Sequence, residues 1–366
     1  MSKHQSKEVF TAIDLFSGAG GLTLGLKRAG FKVVAAVEVD GEIAKTYQKN
    51  HPEVSLIIKD IRKVNGKAIL KLTKLKKIDL IAGCPPCQGF SKLTDKYRKK
   101  DNRNGLVLEM ARVVLELKPA ICMMENVPGL AKRGLLLLRR FEKKLESSGY
   151  IITKGILQMA DYGVPQSRRR LVLLAGKGFK IPLPNPTHSR FADAESKTKH
   201  WITLREVLER NVEPVSFSVA KENGGPQKFN WHVIRDLKPI SVERLKFLTP
   251  GGTRLEIPQK LRPSCHKNAK GFQNVYGRMS WDSIAPTITS GCVTLSAGRF
   301  GHPEKDRTIS VREAATIQTF PRDYRFETDK IEKACELIGN ALPCKFSQIV
   351  SLQCWKALST NIFKNS

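Results

Sequence analysis

Ala12-Ile13-Asp14-Leu15-Phe16-Ser17-Gly18-Ala19-Gly20-Gly21-Leu22 is a short apolar run that breaks into a glycine-rich turn and then opens onto a helical pattern. An apolar run of this length bounded by glycine reads as a buried strand, here Ala12 to Phe16. Gly18, Gly20 and Gly21 let the backbone approach a ligand closely, with a helix N-terminus just beyond. Working outward, Val33 to Val37 reads as a second strand ending at Glu38, and Leu56-Ile57-Ile58 as a third before Asp60-Ile61. Ile78 to Ala82, Ile121 to Met124 and Leu171 to Ala175 continue the series. Strands alternating with longer helical patterns predict an α/β fold with a doubly wound, mostly parallel sheet.

From about Lys180 the texture changes to Pro- and Gly-punctuated sequence, with Pro182, Pro184, Pro186, Gly224-Gly225-Pro226 and Pro250-Gly251-Gly252. This predicts a second, smaller and irregular domain over 183–328, with 1–182 and 329–366 forming one discontinuous domain. Helical patterning returns at Val311 to Ile317 and from Lys330 to Leu358, and no internal repeat is visible.

The chain has 366 residues, 41% of them hydrophobic, with 63 Lys and Arg against 34 Asp and Glu, a formal charge of +29. So large an excess repels itself unless an anion lies against it, which points to nucleic acid or an anionic surface. No apolar run approaches the roughly 20 residues of a membrane span, and the N-terminal residues lack the apolar core of a signal peptide. The expectation is a cytosolic protein that meets nucleic acid and no membrane. Several of the eight cysteines sit inside apolar runs, which suggests reduced thiols.

Three further strand ends carry chemistry. Glu38 follows the glycine turn by about 20 residues, where a carboxylate takes ribose hydroxyls. The glycine spacing is not that of a nicotinamide site, so another adenosine cofactor is favoured, with Asp60 placed for an adenine amino group. Gly83-Cys84-Pro85-Pro86-Cys87-Gln88-Gly89-Phe90-Ser91 puts a thiol, Cys87, at the end of a strand, where it can attack a substrate. Cys84, inside the strand end, reads as a packed small residue without a chemical role. The same segment is a Cys-x-x-Cys pair, as in a thiol redox centre, and His51-Pro52-Glu53 with Cys84 and Cys87 mimics the ligand set of a zinc deaminase. Gly83 stands where that deaminase pattern wants a proline, and neither alternative uses the motifs from Glu125 onward. The remaining Cys and His residues lack metal-ligand spacing, so no metal is expected.

Asp14 to Gly21, Pro86-Cys87-Gln88, Glu125-Asn126-Val127, Gln166-x-Arg168-x-Arg170, Arg312-Glu313-Ala314-Ala315 and Gly339-Asn340-Ala341-Leu342-Pro343 occur in one order. That order resembles the DNA (cytosine-5) methyltransferase family, bacterial type, over nearly the whole chain. The resemblance implies a methyltransferase fold of the S-adenosylmethionine-dependent, Rossmann-like kind, acting on carbon 5 of a flipped-out cytosine in double-stranded DNA. It implies Cys87 as nucleophile and Glu125, Arg168 and Arg170 as catalytic residues, with Arg168 the more structural of the two arginines. Phe16, Gly18, Gly20, Gly21, Leu22, Glu38, Asp60, Ile61, Pro86, Leu106, Asn340 and Ala341 would line the S-adenosylmethionine site. Gln88, Ser91 and Asn126 would meet the substrate. By the same resemblance the basic segment Lys92 to Gly105 closes over DNA, and 183–328 is a target-recognition domain in which Lys267 to Asn274 is a reading loop. The Arg312-Glu313 helix organises that domain. A monomer paired with a restriction endonuclease is implied, and the alternatives are a transfer-RNA cytosine methyltransferase and an inactive DNA-binding relative.

Overall fold

The computed structural model of the chain describes residues 9–86, 89, 102–192, 195, 197–209, 212–264, 271 and 273–365. Contacts divide them into two compact units, one of 1–157, 169–185 and 344–366, the other of 158–168 and 186–343. The boundaries therefore fall near 157, 168, 185 and 343 rather than at 182 and 328.

The first unit alternates β1 (Thr11–Leu15), α1 (Gly21–Arg28), β2 (Lys32–Glu38), α2 (Gly41–Asn50), β3 (Ser55–Ile58), α3 (Gly66–Thr73), β4 (Leu80–Gly83), α4 (Leu106–Leu117), β5 (Ile121–Asn126) and α5 (Leu135–Glu146), followed by β6 (Tyr150–Gln158) and β7 (Arg169–Lys177). The seven strands form one sheet in the order β3-β2-β1-β4-β5-β7-β6. β1 to β5 pair in parallel and β7 runs antiparallel to β5. The chain builds outward from β1 to β3 and then returns to β4, so the direction of winding reverses between β1 and β4. Ligands of open α/β sheets sit beyond the carboxyl ends of strands at such a reversal.

Every residue of β5 is buried, as a central strand covered on both faces requires. The antiparallel ladder pairs Glu125 with Val172 and Asn126 with Leu171, extending β5 two residues past the apolar run that ends at Met124. β6 escapes the sequence reading because it is only half buried and carries Gly155, a residue depleted from strands. A Cβ at Gly155 would lie 2.7 Å from Leu183 Cδ1, so a larger residue there makes that side chain shift.

One helix layer consists of α3, α4 and α5, with α4 packed against both others. α4 buries Val107, Met110, Ala111, Val113, Val114 and Leu117, and ends at Lys118 in the left-handed region, φ 46°. Full burial of aliphatic side chains such as these stabilises by about 1.5–3 kcal/mol each.

The second unit has little regular structure: β8 (His188–Ser189), β9 (Lys199–His200), α6 (Leu204–Val207), β10 (Val215–Ser216), α7 (Phe217–Glu222), β11 (Val233–Ile234), α8 (Pro239–Lys246), α9 (Val311–Ile317) and α10 (Ile331–Asn340). Without long ladders its buried carbonyls need other donors, and arginines supply them. Arg278, 3% exposed, donates to the carbonyls of Leu245, His302 and Lys305 and to Asp306. Arg312 donates to Asn230, Pro321 and Tyr324, and Arg307 pairs with the buried Glu313 that also caps α9 at Ser310. The Arg312-Glu313 helix thus has its charges turned into its own unit. The chain then returns to the first unit as α11 (Cys344–Asn365), which packs on α1. No described helix is long and apolar enough to cross a membrane.

Candidate active site

The carboxyl ends of β1, β2, β3 and β4 bring most of the expected cofactor residues to one edge of the sheet. After β1 the backbone turns through Phe16, Gly18 and Gly20, all at positive φ (63°, 54° and 88°). Glu38, at the end of β2, holds this turn: one carboxylate oxygen accepts from Gly18 N at 2.8 Å, the other from Val39 N and Asp40 N at 2.8 and 2.9 Å. The oxygen bonded only to Gly18 keeps a further acceptor site, as a ribose hydroxyl requires. A Cβ on Gly18 would meet nothing within 4 Å, so the turn faces open space. Beneath it, Ser17 Oγ and Asp14 Oδ1 are buried without a hydrogen-bond partner. Open space, a free acceptor on Glu38 and unpartnered polar atoms suit a polar nucleoside-type ligand.

A buried chain that no motif announces supports the turn. Thr23 Oγ1 donates to Asp14 Oδ2 at 2.7 Å and lies 2.7 Å from the Tyr47 hydroxyl, whose ring meets His51 at a tilt with centroids 4.9 Å apart. His51 Nε2 is 3.2 Å from Gly20 O and its Nδ1 3.0 Å from Lys27 Nζ, so the proton belongs on Nε2 and the imidazole donates to the turn. Burial, then the Lys27 charge, lower His51 to about 4, which keeps it neutral. His51 therefore braces the glycine turn. Burial raises the Asp14 carboxyl to about 7 against the pull of Thr23, with Glu38 adding to the rise.

After β3, both oxygens of Asp60 accept from the Arg62 guanidinium, at 2.5–3.1 Å, and hydrogen bonding to Arg62 lowers Asp60 to about 2. An adenine amino group would share this carboxylate with Arg62. Ile61 is buried, while Phe16 and Leu106, the first residue of α4, pack half-buried against the core. Leu22, Gly20 and Gly21 are buried at the start of α1, and Pro86 is half-buried after β4.

Glu125 and Arg170 meet at the adjoining strand ends, Arg170 Nε donating to Glu125 Oε1 at 2.9 Å, with side chains 16% and 11% exposed. Asn126 Nδ2 donates to Pro85 O at 3.0 Å and its Oδ1 accepts from Val127 N, tying the end of β5 to the segment after β4. The β4–β5 register, Gly83 opposite Met124, brings Cys84 beside Glu125, and its thiol donates to that carboxylate. Burial first, then the Glu125 and Asp14 charges, push this thiol well above its ordinary range. Cys87, Gln88, Ser91 and most of the basic segment lie outside the described residues, as does most of Lys267 to Asn274.

Arg168, expected as a catalytic residue, directs its buried guanidinium to the carbonyls of Ile288, Gly339 and Ala341 at 2.8, 3.2 and 3.4 Å, all within the second unit. It braces the turn that carries Asn340 and Ala341, and Gln318 donates to Ile338 O and Ala341 O in the same turn. The two arginines of the Gln-x-Arg-x-Arg pattern, two positions apart, thus face different tasks: Arg170 a carboxylate, Arg168 a backbone. Among the described residues no group of three His, Cys, Asp or Glu could hold a metal ion.

A carboxylate and a guanidinium side by side, largely removed from water, can grip the polar edge of a flat heterocycle through charge-assisted hydrogen bonds. The family model for C-5 cytosine-specific DNA methylase matches residues 10–356. The type II methylase M.HgiDII of Herpetosiphon aurantiacus is 37% identical over 350 residues, covering 94% of both chains. The type II methyltransferase M1.BsuMI of Bacillus subtilis is 33% identical, covering 94% of this chain and 80% of the relative. The crystal structure of a prophage-encoded DNA modification methyltransferase from E. coli superposes with a TM-score of 0.73 at 25% identity, covering 96% of this chain and 99% of that one. With a family match across nearly its full length, relatives above 30% identity and a shared fold, the chain belongs to the C-5 cytosine-specific DNA methylase family.

Proposed function

We propose that this DNA cytosine-5 methyltransferase acts on one short sequence in duplex DNA, with S-adenosylmethionine as donor, as the modification enzyme of a restriction-modification system. The Glu125–Arg170 pair carries the reading, because it supplies a matched acid and cation beside the strand end that leads to Cys87. When bound, S-adenosylmethionine supplies an electrophilic methyl group, toward which cytosine carbon 5 is unreactive until a nucleophile has added at carbon 6.

Cys87 is that nucleophile: its sulfur forms a bond to carbon 6 of the flipped base, and the ring's electrons move toward carbon 5 and nitrogen 3. Glu125 holds a proton at nitrogen 3 and accepts from the exocyclic amine, while Arg170 stabilises the charge that builds toward the carbon 2 oxygen. Loss of the carbon 5 proton and departure of Cys87 restore the aromatic ring. Asn126, through Pro85 O, fixes the backbone that leads to Cys87. Arg168 is a positioning residue that shapes the turn of Asn340 and Ala341.

Glu38 would take the ribose hydroxyls and Asp60 the adenine amine. Phe16, Leu22, Ile61, Pro86 and Leu106 would form apolar walls, with the Gly18–Gly21 backbone, Asn340 and Ala341 at the methionine end. Gln88 and Ser91 would meet the DNA near the flipped base, and residues 183–328 would read the target sequence. The naming of relatives as type II methylases supports a companion endonuclease, and we read the enzyme as a cytosolic monomer.

Bisulfite sequencing of plasmid DNA from cells that express the protein, beside a Cys87→Ser control, tests this. Protected cytosines in one short recurring sequence, absent from the control, are expected. No protection by a folded protein that binds the cofactor overturns the DNA reading.

A further inference from the structure

The α3–α4–α5 layer carries a charge arrangement that the reaction site does not use. α5 turns Leu138, Phe141, Glu142 and Leu145 inward and leaves Arg139, Arg140, Lys143 and Lys144 exposed. These four form two rows of like charge at four-residue spacing, which repel along a helix. The dipole at the helix C-terminus favours Lys143 and Lys144 but not Arg139 and Arg140, which sit mid-helix. Among the described residues none of the four has an ion pair; Glu142 is taken by Lys154. On the far side of α4, α3 repeats the pattern with Lys67 and Lys71, also exposed. The acids of the intervening helix are no help, since Glu109 and Glu116 both pair with Arg112.

Because α5 begins after the carboxyl end of β5, its first turn lies at the sheet edge that carries Glu125. At 1.5 Å per residue the cation rows run from about 6 to about 14 Å along the helix from Leu135. A polyanion with evenly spaced charges, held at that edge and continuing past it, is what such rows fit. We infer that the outward face of this layer is an accessory site for the phosphate backbone of duplex DNA beyond the reacting sequence. The site holds the enzyme on long DNA between one target and the next, through sequence-independent contacts whose strength falls steeply with salt. This rests on the DNA methyltransferase reading above.

The test uses the full chain and a quadruple variant, R139Q/R140Q/K143Q/K144Q. Methyl transfer is measured on a duplex trimmed close to its target and on linear plasmid, with affinity for each followed against salt. On the trimmed duplex the variant should match the parent. On plasmid the slope of log affinity against log salt should flatten by about 3 to 4, at roughly 0.9 per lost phosphate contact. A second variant, K67Q/K71Q, should flatten it by about 2 on the same basis. Equal slopes for parent and both variants on plasmid overturn the inference. Binding of phosphatidylserine vesicles by the parent alone, with DNA slopes unchanged, also overturns it and assigns the face to a membrane. Failure of the parent to methylate either duplex sinks the underlying reading instead, a result distinguishable from the others.

Discussion

At the scale of residues, the site couples groups whose protonation the protein has set apart. Asp14 is buried with its carboxyl raised from 3.8 to about 7. Between those values the native state keeps a proton that the unfolded chain has released, so stability declines as pH rises. The contribution is complete below about 3.8 and lost as pH passes about 7. Asp14→Asn cannot ionise, and its melting temperature should fall less than the parent's between pH 5 and 8; parallel profiles would remove Asp14 as the cause. Cys84, held protonated by burial and its carboxylate neighbours, should resist iodoacetamide at neutral pH in a Cys87→Ser background, as read by peptide mass spectrometry. Glu125→Gln keeps shape and loses the proton, so single-turnover methyl transfer should slow about 100-fold or more with DNA binding retained. The Glu125–Arg170 pairing was legible because both residues stand at strand ends, within motifs that occur in a recognisable order. The Asp14–Thr23–Tyr47–His51 chain was not, since Thr23 lies 9 residues from Asp14 and 24 from Tyr47, and His51 31 from Gly20, with no shared spacing.

Among the elements, periodicity and glycine punctuation located six of the seven sheet strands, and the failures have physical causes. β6 is only half buried and carries Gly155, and glycine weakens the very signal that marks a strand. The run from Lys330 to Leu358 reads as one helical stretch yet divides into α10 and α11 at Ala341-Leu342-Pro343. The residue before a proline is biased away from helical backbone, which ends the first helix there. α1 illustrates a constraint that composition hides. Gly25 is an ordinary mid-helix glycine, by propensity a weakness, but a Cβ there would fall on the Ser347 hydroxyl of α11 and within 2.6 Å of Gln348 N. The gap between α1 and α11 is set by that missing methyl. Gly25→Ala should therefore destabilise by about 1–3 kcal/mol despite its better helix propensity, from overpacking of an interior contact. Denaturant titration followed by circular dichroism checks the sign; a stabilised variant would show that α11 can retreat without cost.

For the whole molecule, charge and the change of texture near Lys180 announced a two-part basic protein, while the boundaries depended on contacts that sequence does not display. Gln158 to Arg168 groups with the second unit although the flanking strands β6 and β7 belong to the first. Each unit has a core of its own: the first around Ile13, Leu15, Ile81, Met124 and Leu173, the second including Leu245, Leu248, Ile257 and Leu295. They are built on different principles. Ladders satisfy the backbone of the first, whereas buried arginines satisfy much of the second, so one side chain matters more there. Arg278 reaches four acceptors, and Arg278→Met would leave three carbonyls and Asp306 without that donor. A buried acceptor left without its donor costs about 1–3 kcal/mol. Hydrogen exchange read by mass spectrometry should then show lost protection in peptides from 186–343, with β1, β4 and β5 still protected, because local opening follows units that share a core. Protection lost equally from β1, β4 and β5 would mean that the two units unfold as one, and that the arginine spokes of the second also hold up the sheet of the first.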